Sequence, residues 1–160
     1  METERLTLRP LVASDVDELE RLHADPEVMR HLDPAPVERY LTGGFHAARE
    51  NRTGRWLGWF ELADAGNGDW ELGYRLHRDC WGSGYATEGA TALVEHAFTA
   101  CGAQRVVATT MTVNTGSRRV LEKCGLRYVR TVFLDWDDPL PGAEHGDVEY
   151  ALSRQEWESA

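Results

Sequence analysis

A chain of 160 residues with 42% hydrophobic and 28% charged residues has the length and composition of one globular domain, and we expect a single domain over residues 1–160. Seventeen Lys and Arg against 27 Asp and Glu give a formal net charge of −10, which argues against a nucleic-acid or membrane partner and favours a cationic one. Three cysteines without a CxxC pair indicate neither a disulfide framework nor a zinc site.

The sequence also predicts where the protein resides. The opening residues, Met-Glu-Thr-Glu-Arg, lack a basic segment followed by an apolar one. No run of about 18 apolar residues occurs anywhere in the chain. We therefore expect a cytoplasmic protein, and the sequence leaves a monomer and a homodimer equally open.

The first part of the chain predicts one strand followed by helices. Apolar and polar residues alternate until Pro10, which is typical of a short strand. Ser14 is placed to cap a helix that ends near His23. A second short helix is predicted over 25–32, because proline is accepted in a first turn. Pro34 then breaks it, and 36–41 adds another turn.

The middle of the chain predicts three antiparallel strands. Two reversal signals, Asn51–Gly54 and Ala65–Gly68, divide the apolar runs. The strands cover Phe45–Glu50, Arg55–Ala63 and Trp70–Leu76, although the first of them also has the composition of a helix.

The last part of the chain alternates helices and strands, and its final two strands flank an acidic loop over 135–146. The predicted elements are a helix over Tyr85–Cys101, a strand over Val106–Val113, a helix over Ser117–Cys124 and strands over Tyr128–Leu134 and Val148–Leu152.

The segment Trp81–Glu88 is the most informative stretch, because it places Gly82 and Gly84 between a strand and a long helix. Glycines let main-chain N–H groups turn towards a ligand, and the helix start adds partial positive charge, so this segment predicts an anion site. A plain strand-to-helix turn is the alternative. Thr87 stands where a dinucleotide-binding motif needs its third glycine.

The order of three motifs resembles the GNAT acetyltransferase superfamily, and most closely its branch of ribosomal-protein-alanine N-acetyltransferases. The motifs are Glu71–Leu76, Trp81–Glu88, and Asn114-x-x-Ser117 followed by 121–126. The resemblance covers nearly the whole chain. It implies an α/β (α+β) fold with a mixed, mostly antiparallel sheet of about six to seven strands, helices on both faces and a V-shaped splay between two central strands.

The resemblance implies an N-acetyltransferase that moves the acetyl group of acetyl-CoA directly to an amine in a ternary complex, without a metal. The acceptor is a protein N-terminus or a small cationic molecule. A non-catalytic acyl-CoA sensor is the alternative, because the tyrosine that many relatives use as an acid falls at Leu121. Cofactor contacts are implied for Leu76, His77, Trp81, Gly82, Ser83, Gly84, Tyr85, Ala86, Thr87 and Asn114.

The catalytic roles are less directly indicated. With leucine at 121, Ser117 becomes the candidate for protonating the departing thiolate, although it also suits a position early in a helix, and Asn114 suits a helix cap. Glu71 is the first choice for the base that accepts the amine proton, and Glu61 is the reserve. A cross-strand ion pair would equally explain Glu71.

Several other residues carry expectations that the structure can check. Trp59 and Trp136, with Glu61, are expected to line the substrate side of the cleft. Asp79 would repel phosphate if it faced the glycine turn, so we expect it to face solvent. Gly89 should destabilise its helix by about 0.5–1 kcal/mol relative to alanine, unless a close packing contact requires a glycine there.

The histidines lack metal-ligand spacing, and we expect no metal.

Overall fold

One open sheet organises the computed structural model, which describes residues 1–32, 35–135 and 137–160. The predicted break at Pro34 and the predicted contact at Trp136 lie outside the described residues. Within them the sheet has seven strands in the order β1-β2-β3-β4-β5-β7-β6. The strands are β1 Leu6–Pro10, β2 Phe45–Glu50, β3 Trp56–Gly66, β4 Asp69–Leu76, β5 Arg105–Met111, β6 Arg127–Val132 and β7 Asp147–Ser153.

The sheet is mostly antiparallel, and its one parallel pairing, within the described part of the chain, joins β4 to β5. Residues 45–50 are a strand, so their alternative interpretation as a helix was wrong. The predicted mixed sheet is confirmed.

Helices cover both faces of this sheet, as predicted. They are α1 Val16–His23, α2 Val37–Leu41, α3 Tyr85–Thr99, α4 Thr115–Lys123 and α5 Arg154–Glu158. Apolar residues of α3 pack against Phe60 and Leu72 on one side of the sheet, which we call the α3 face. Leu19 and Leu22 of α1 pack against Trp59 on the other side, which we call the α1 face.

The helix predicted over 25–32 is replaced by turns. The Met29 N–H donates to the Asp25 carbonyl at 3.1 Å, but the Asp25 side chain accepts from the Glu27 N–H at 3.0 Å. An aspartate that bonds its neighbouring backbone competes with helical bonding, which explains the wrong prediction.

Two helix starts also differ from the prediction. Ser14 lies inside a 3₁₀ turn over Ala13–Asp15 and does not cap α1. Asp15 instead accepts the Val12 N–H at 2.9 Å and pairs with Arg9 at 2.7 Å. The short helix α5 was not predicted, although Ser153 and Glu156 form a capping box at its start, which is a readable sequence signal.

Gly89 is required by a close contact between α3 and β3. A Cβ atom placed on Gly89 would lie 2.3 Å from Cζ of Phe60, a fully buried ring. The glycine therefore lets α3 approach the sheet, and this approach fixes where the helix begins relative to β4.

We predict that Gly89→Ala destabilises the protein by about 1–3 kcal/mol, because forcing a methyl into the packed ring outweighs the better helix propensity of alanine. Gly116→Ala in α4 is the matched control, since a Cβ there meets nothing within 4 Å. Thermal unfolding should show a lower Tm for the first variant and an unchanged or higher one for the second. A raised Tm for Gly89→Ala would contradict the packing explanation.

Candidate active site

A cleft opens where the two central strands separate. β4 and β5 pair only at Asp69–Arg105, Trp70–Val106 and Glu71–Val107. Beyond that point β4 stays with β3 through Leu76, while β5 stays with β7 through Met111. The strands diverge, and a cleft of about 720 Å³ lies at the open end. The predicted V-shaped splay is confirmed.

Main-chain groups of β4 face this gap. The His77 N–H donates to the Leu57 carbonyl at 2.8 Å on β3, and alternation along an antiparallel strand then turns the N–H and C=O of Leu76 the other way. The Leu76 carbonyl accepts the Trp81 indole N–H at 2.9 Å. The Leu76 N–H therefore points into the gap. The prediction for His77 needs correction, because its carbonyl also accepts the Cys80 N–H at 2.9 Å, so both of its main-chain groups are already paired.

The glycine turn has the conformation that an anion site needs. Gly82 and Gly84 have φ values of +74° and +83°, in the left-handed region that favours glycine. α3 starts at Tyr85, and the first N–H groups of a helix have no partner within the helix. The N–H groups of residues 85–87 are thus available to a pyrophosphate at the positive end of the helix.

Arg5 braces this turn from the first residues of the chain. Its guanidinium donates to the Ser83 carbonyl at 2.9 Å and pairs with Glu88, in the first turn of α3, at 2.7 Å. It also lies 4.2 Å from the centre of the Tyr85 ring. The sequence offers no signal for this role, because Arg5 is 78 positions from Ser83.

Positive charge faces the turn from α4. Arg119 and Lys123 line the same cleft, and both are exposed. Asp79 points away from it, because its side chain is 68% exposed and pairs with Arg55 at 2.7 Å. The expectation that Asp79 faces solvent is confirmed. The local charge around the turn therefore suits phosphate despite the acidic chain.

Ser117 and Asn114 lie on the opposite wall from β4. The Asn114 side chain accepts the Ser117 N–H at 3.2 Å, so Asn114 does cap α4 while also lining the cleft. Tyr74 reaches Ser117 from β4: burial raises the pKa of Tyr74, and the Ser117 hydroxyl acts in the opposite direction. Leu121 is buried in the core. The cleft thus holds a phenol that the sequence did not predict, because a tyrosine in a strand is typical of a residue that packs in the core.

The two candidate bases lie apart from the cleft lining. Glu71 is exposed and sits at the closed end, because β4 and β5 still pair there. Glu61 is buried opposite Gly73, and a Cβ on that glycine would come within 3.1 Å of the Glu61 carboxylate. Burial raises the pKa of Glu61 to about 7, with Glu71 adding to the rise and Arg39 opposing it.

Most of the predicted cofactor residues come together, and several other site residues do not. The cleft is lined by Leu76, Trp81, Gly82, Gly84, Tyr85, Ala86, Thr87, Asn114 and Ser117. Of the predicted residues that the structure describes, the lining leaves out His77, Ser83, Glu61, Glu71 and Trp59.

Trp59 was wrongly expected to line the substrate side. It is 4% exposed, and its indole N–H donates to Nε2 of His23 at 3.1 Å inside the core of the α1 face. Half-exposed Trp81, in contrast, does line the cleft.

Neither a metal centre nor a membrane-spanning helix occurs among the described residues. In 1–32, 35–135 and 137–160, no group of three or more His, Cys, Asp or Glu side chains is arranged to hold a metal ion. No helix in these ranges is long and apolar enough to cross a membrane.

Comparison with known proteins identifies the class. Residues 5–127 match the family model described as an acetyltransferase (GNAT) domain. The chain is 34% identical over 181 residues to the FsC-acetyl coenzyme A-N(2)-transacetylase of Aspergillus fumigatus, covering 98% of this chain and 77% of that one. The chain belongs to the GNAT acetyltransferase family, and it is an acetyl-CoA-dependent N-acetyltransferase.

Solved structures share the fold. A GNAT-family acetyltransferase from Bacillus anthracis superposes with a TM-score of 0.81 at 21% identity, covering 97% of this chain and 98% of that one. A spermidine N-acetyltransferase from Vibrio cholerae, solved with CoA and spermine, gives 0.80 at 15% identity, with coverage of 98% and 99%. The family uses acetyl-CoA, and the residues present fit its pyrophosphate: a Cβ on Gly82 would meet nothing within 4 Å, one on Gly84 would meet only the Arg5 guanidinium at 3.3 Å, and the first N–H groups of α3 follow directly.

We predict that Glu61→Gln stabilises the protein at pH 8 and has little effect near pH 4.5. A carboxyl with a pKa raised to about 7 holds its proton in the folded state between pH 4.5 and 7. The unfolded chain releases its proton in the same pH range. The folded state therefore loses stability relative to the unfolded chain as the pH rises from 4.5 through 7. Glutamine does not ionise and so avoids the cost of burying a carboxylate. The free energy of unfolding of Glu61→Gln should exceed that of the parent by up to about 3 kcal/mol at pH 8.

Urea unfolding at several pH values measures this difference. Glu95→Gln, on the exposed side of α3, is the control and should leave the pH profile of stability unchanged. An equal effect of Glu61→Gln at low and high pH would contradict the raised pKa.

Proposed function

We propose that this acetyltransferase transfers the acetyl group directly to the neutral amine of a small molecule while both substrates are bound. The observation that carries the proposal is one continuous cleft with two kinds of wall. The glycine turn and α4 line it on the α3 face, and residues 27–31, of which Val28 packs in the core of the α1 face, line it on the other; residues 141–145 also contribute to the lining. The Leu76 N–H lies between the two faces, where the acetyl group and the amine must meet.

Direct transfer is favoured over an acetylated cysteine. Cys80 lines the cleft, but it is 4% exposed, and burial raises the pKa of its thiol to about 11. The thiolate is the nucleophilic form, and at pH 7 its fraction here is on the order of one in ten thousand. Cys80 therefore does not supply a covalent intermediate.

The cleft supplies the groups that this reaction needs. Acetyl-CoA brings an activated thioester carbonyl. The Leu76 N–H is placed to donate to the carbonyl oxygen as negative charge develops on it. The Ser117 hydroxyl, with the Tyr74 phenol beside it, is placed to donate a proton to the departing sulfur, whose conjugate acid has a pKa near ~8.5.

The amine loses a proton that a base must accept. Glu61 suits this role better than Glu71, because a pKa of about 7 matches the working pH of a general base. Its carboxylate lies outside the cleft lining, so the proton passes through water. This assignment reverses the order of the two candidates that the sequence suggested.

Two observations support a small-molecule acceptor over a protein N-terminus. Residues 27–31 line the acceptor side, and residues 141–145 also line the cleft, which narrows the space for a polypeptide. The Aspergillus relative carries a name that specifies transfer to an N(2) position of FsC.

The test is steady-state release of free CoA with a set of small α-amines and a set of peptides with free N-termini. The small amines should be acetylated with the higher kcat/KM. Ser117→Ala should lower kcat by about 100-fold or more, because a positioned proton donor typically contributes about 10²–10⁴-fold.

The affinity of Ser117→Ala for acetyl-CoA, measured by calorimetry, should stay within about twofold, since the pyrophosphate is held elsewhere. Preferential acetylation of peptides would overturn the small-molecule assignment. Binding of acetyl-CoA without turnover of any amine would favour the sensor instead.

A further inference from the structure

Arg75 is a largely buried cation without a counterion among residues 1–32, 35–135 and 137–160. Its Nε atom is buried and has no hydrogen-bond partner, and its guanidinium makes one hydrogen bond in the described part of the chain, to the Tyr74 carbonyl at 2.9 Å. The salt bridges between described residues do not include it. A guanidinium has five N–H donors and stays charged, so most of its binding capacity is unused.

An unpaired buried charge is costly to the folded protein. Burial without a carboxylate partner disfavours the charged form, and burial lowers the pKa of Arg75. Among the residues that the structure describes, no contact offsets that cost, which points to a ligand that does.

Arg75 points towards the acceptor side and away from the pyrophosphate. It stands opposite Trp59 in the β3–β4 register, and directly opposed residues share one face of a sheet. Trp59 packs with α1 on the α1 face, whereas the glycine turn leads into α3 on the other face. The pantetheine arm that joins thioester and pyrophosphate is uncharged. An anion beside Arg75 must therefore come from the acceptor.

His31 places a second unpartnered group on the same wall. Its Nδ1 atom is buried without a hydrogen-bond partner among the described residues, and both His31 and Arg75 line the cleft. Burial lowers the pKa of His31, Arg30 and Arg75 add to the effect, and Glu27 opposes it. The acidic residues that line the cleft, Glu27 and Glu144, are exposed at its rim.

We infer that Arg75 is an anchor for a carboxylate on the acceptor, with His31 as its neighbour, and that the acceptor is an amino acid or a similar amine carrying a carboxylate. The inference rests on the proposed function. Arg75 pairs with the carboxylate through its fork of N–H groups, and the amine is then held next to the Leu76 N–H. A cation at this place also disfavours a protonated amine, which keeps the nucleophile neutral.

The charge of Arg75 in the cleft is opposite in sign to the net charge of the chain. The net charge of −10 favours a cationic partner at long range. Next to Leu76, however, the fixed charge in the cleft is the largely buried Arg75, whereas Glu27 and Glu144 are exposed at the rim. A polyamine without an acidic group would place like charges together there, so it is a poor fit to this cleft.

The experiment compares α-, β- and γ-amino acids with their carboxamides, which keep the amine and lose the charge. Initial rates of CoA release at saturating acetyl-CoA should favour the acid of the best pair by at least about 30-fold in kcat/KM, the scale of a desolvated charge pair. Arg75→Gln should reduce this preference to within about threefold, and Arg75→Lys should retain part of it.

The controls separate binding from folding. Arg130→Gln removes an exposed arginine that pairs with Glu149 at 2.6 Å on the far strand β6, and it should keep the preference unchanged. Since Arg75→Gln removes an unpaired charge, the variant should melt at the same temperature as the parent or higher. Its KM for acetyl-CoA should stay within about twofold.

Three results would overturn the inference. These are equal rates for acids and amides in the parent enzyme, a preference for acids that survives in Arg75→Gln, and an equal loss of activity towards both sets in Arg75→Gln. If no amine of either set releases CoA, the proposed function fails instead. Calorimetry of the acids with CoA-loaded protein then still tests Arg75, because the acids should bind to the parent and fail to bind to Arg75→Gln.

Discussion

The separation of β4 from β5 beyond Glu71 is the constraint on which the rest of the structure depends. A sheet normally satisfies its main-chain groups by continued pairing, and buried unpaired groups are costly. Here the strands are held apart because each keeps its other partner, β3 for β4 and β7 for β5. The N–H of Leu76 is left facing a gap, and the gap becomes useful because a thioester carbonyl can occupy it.

The glycine turn acts with the gap because α3 fixes both. Gly89 brings α3 close to the Phe60 ring, and Arg5 ties the Ser83 carbonyl to Glu88 at the start of the helix. The turn therefore stays in a conformation that would otherwise cost main-chain entropy on binding. Two distant parts of the chain, the residues just before β1 and the strand β3, support one anion site.

The charge distribution separates long-range attraction from local recognition. The chain is acidic as a whole, yet Arg119 and Lys123 face the glycine turn, and Arg75 lies on the acceptor wall. Net charge governs the long-range attraction of charged ligands and the solubility of the protein, whereas the specificity of a site depends on the few groups that line it. This distinction explains why composition alone suggested a cationic acceptor and the geometry suggests one with a carboxylate.

Local signals predicted much of the fold and the cofactor side. The alternation of apolar and polar residues predicted the strands, and the motif around Gly82 and Gly84 predicted the turn. Both signals depend on residues that are neighbours in the sequence. The missed features depend on residues far apart in the chain, such as Arg5 against Ser83 and Tyr74 against Ser117. The sequence also did not reveal which side chains are buried. Trp59 lies in the core, Glu71 is exposed, and burial raises the pKa of Glu61.

Hydrogen–deuterium exchange with and without acetyl-CoA tests the central claim most directly. The amides of Leu76 and of residues 85–87 should exchange at least about tenfold more slowly when acetyl-CoA is bound, because these N–H groups become donors to it. Amides in β7, which pairs on both edges, should keep their rates. Binding of acetyl-CoA that leaves Leu76 and residues 85–87 unprotected would contradict the account.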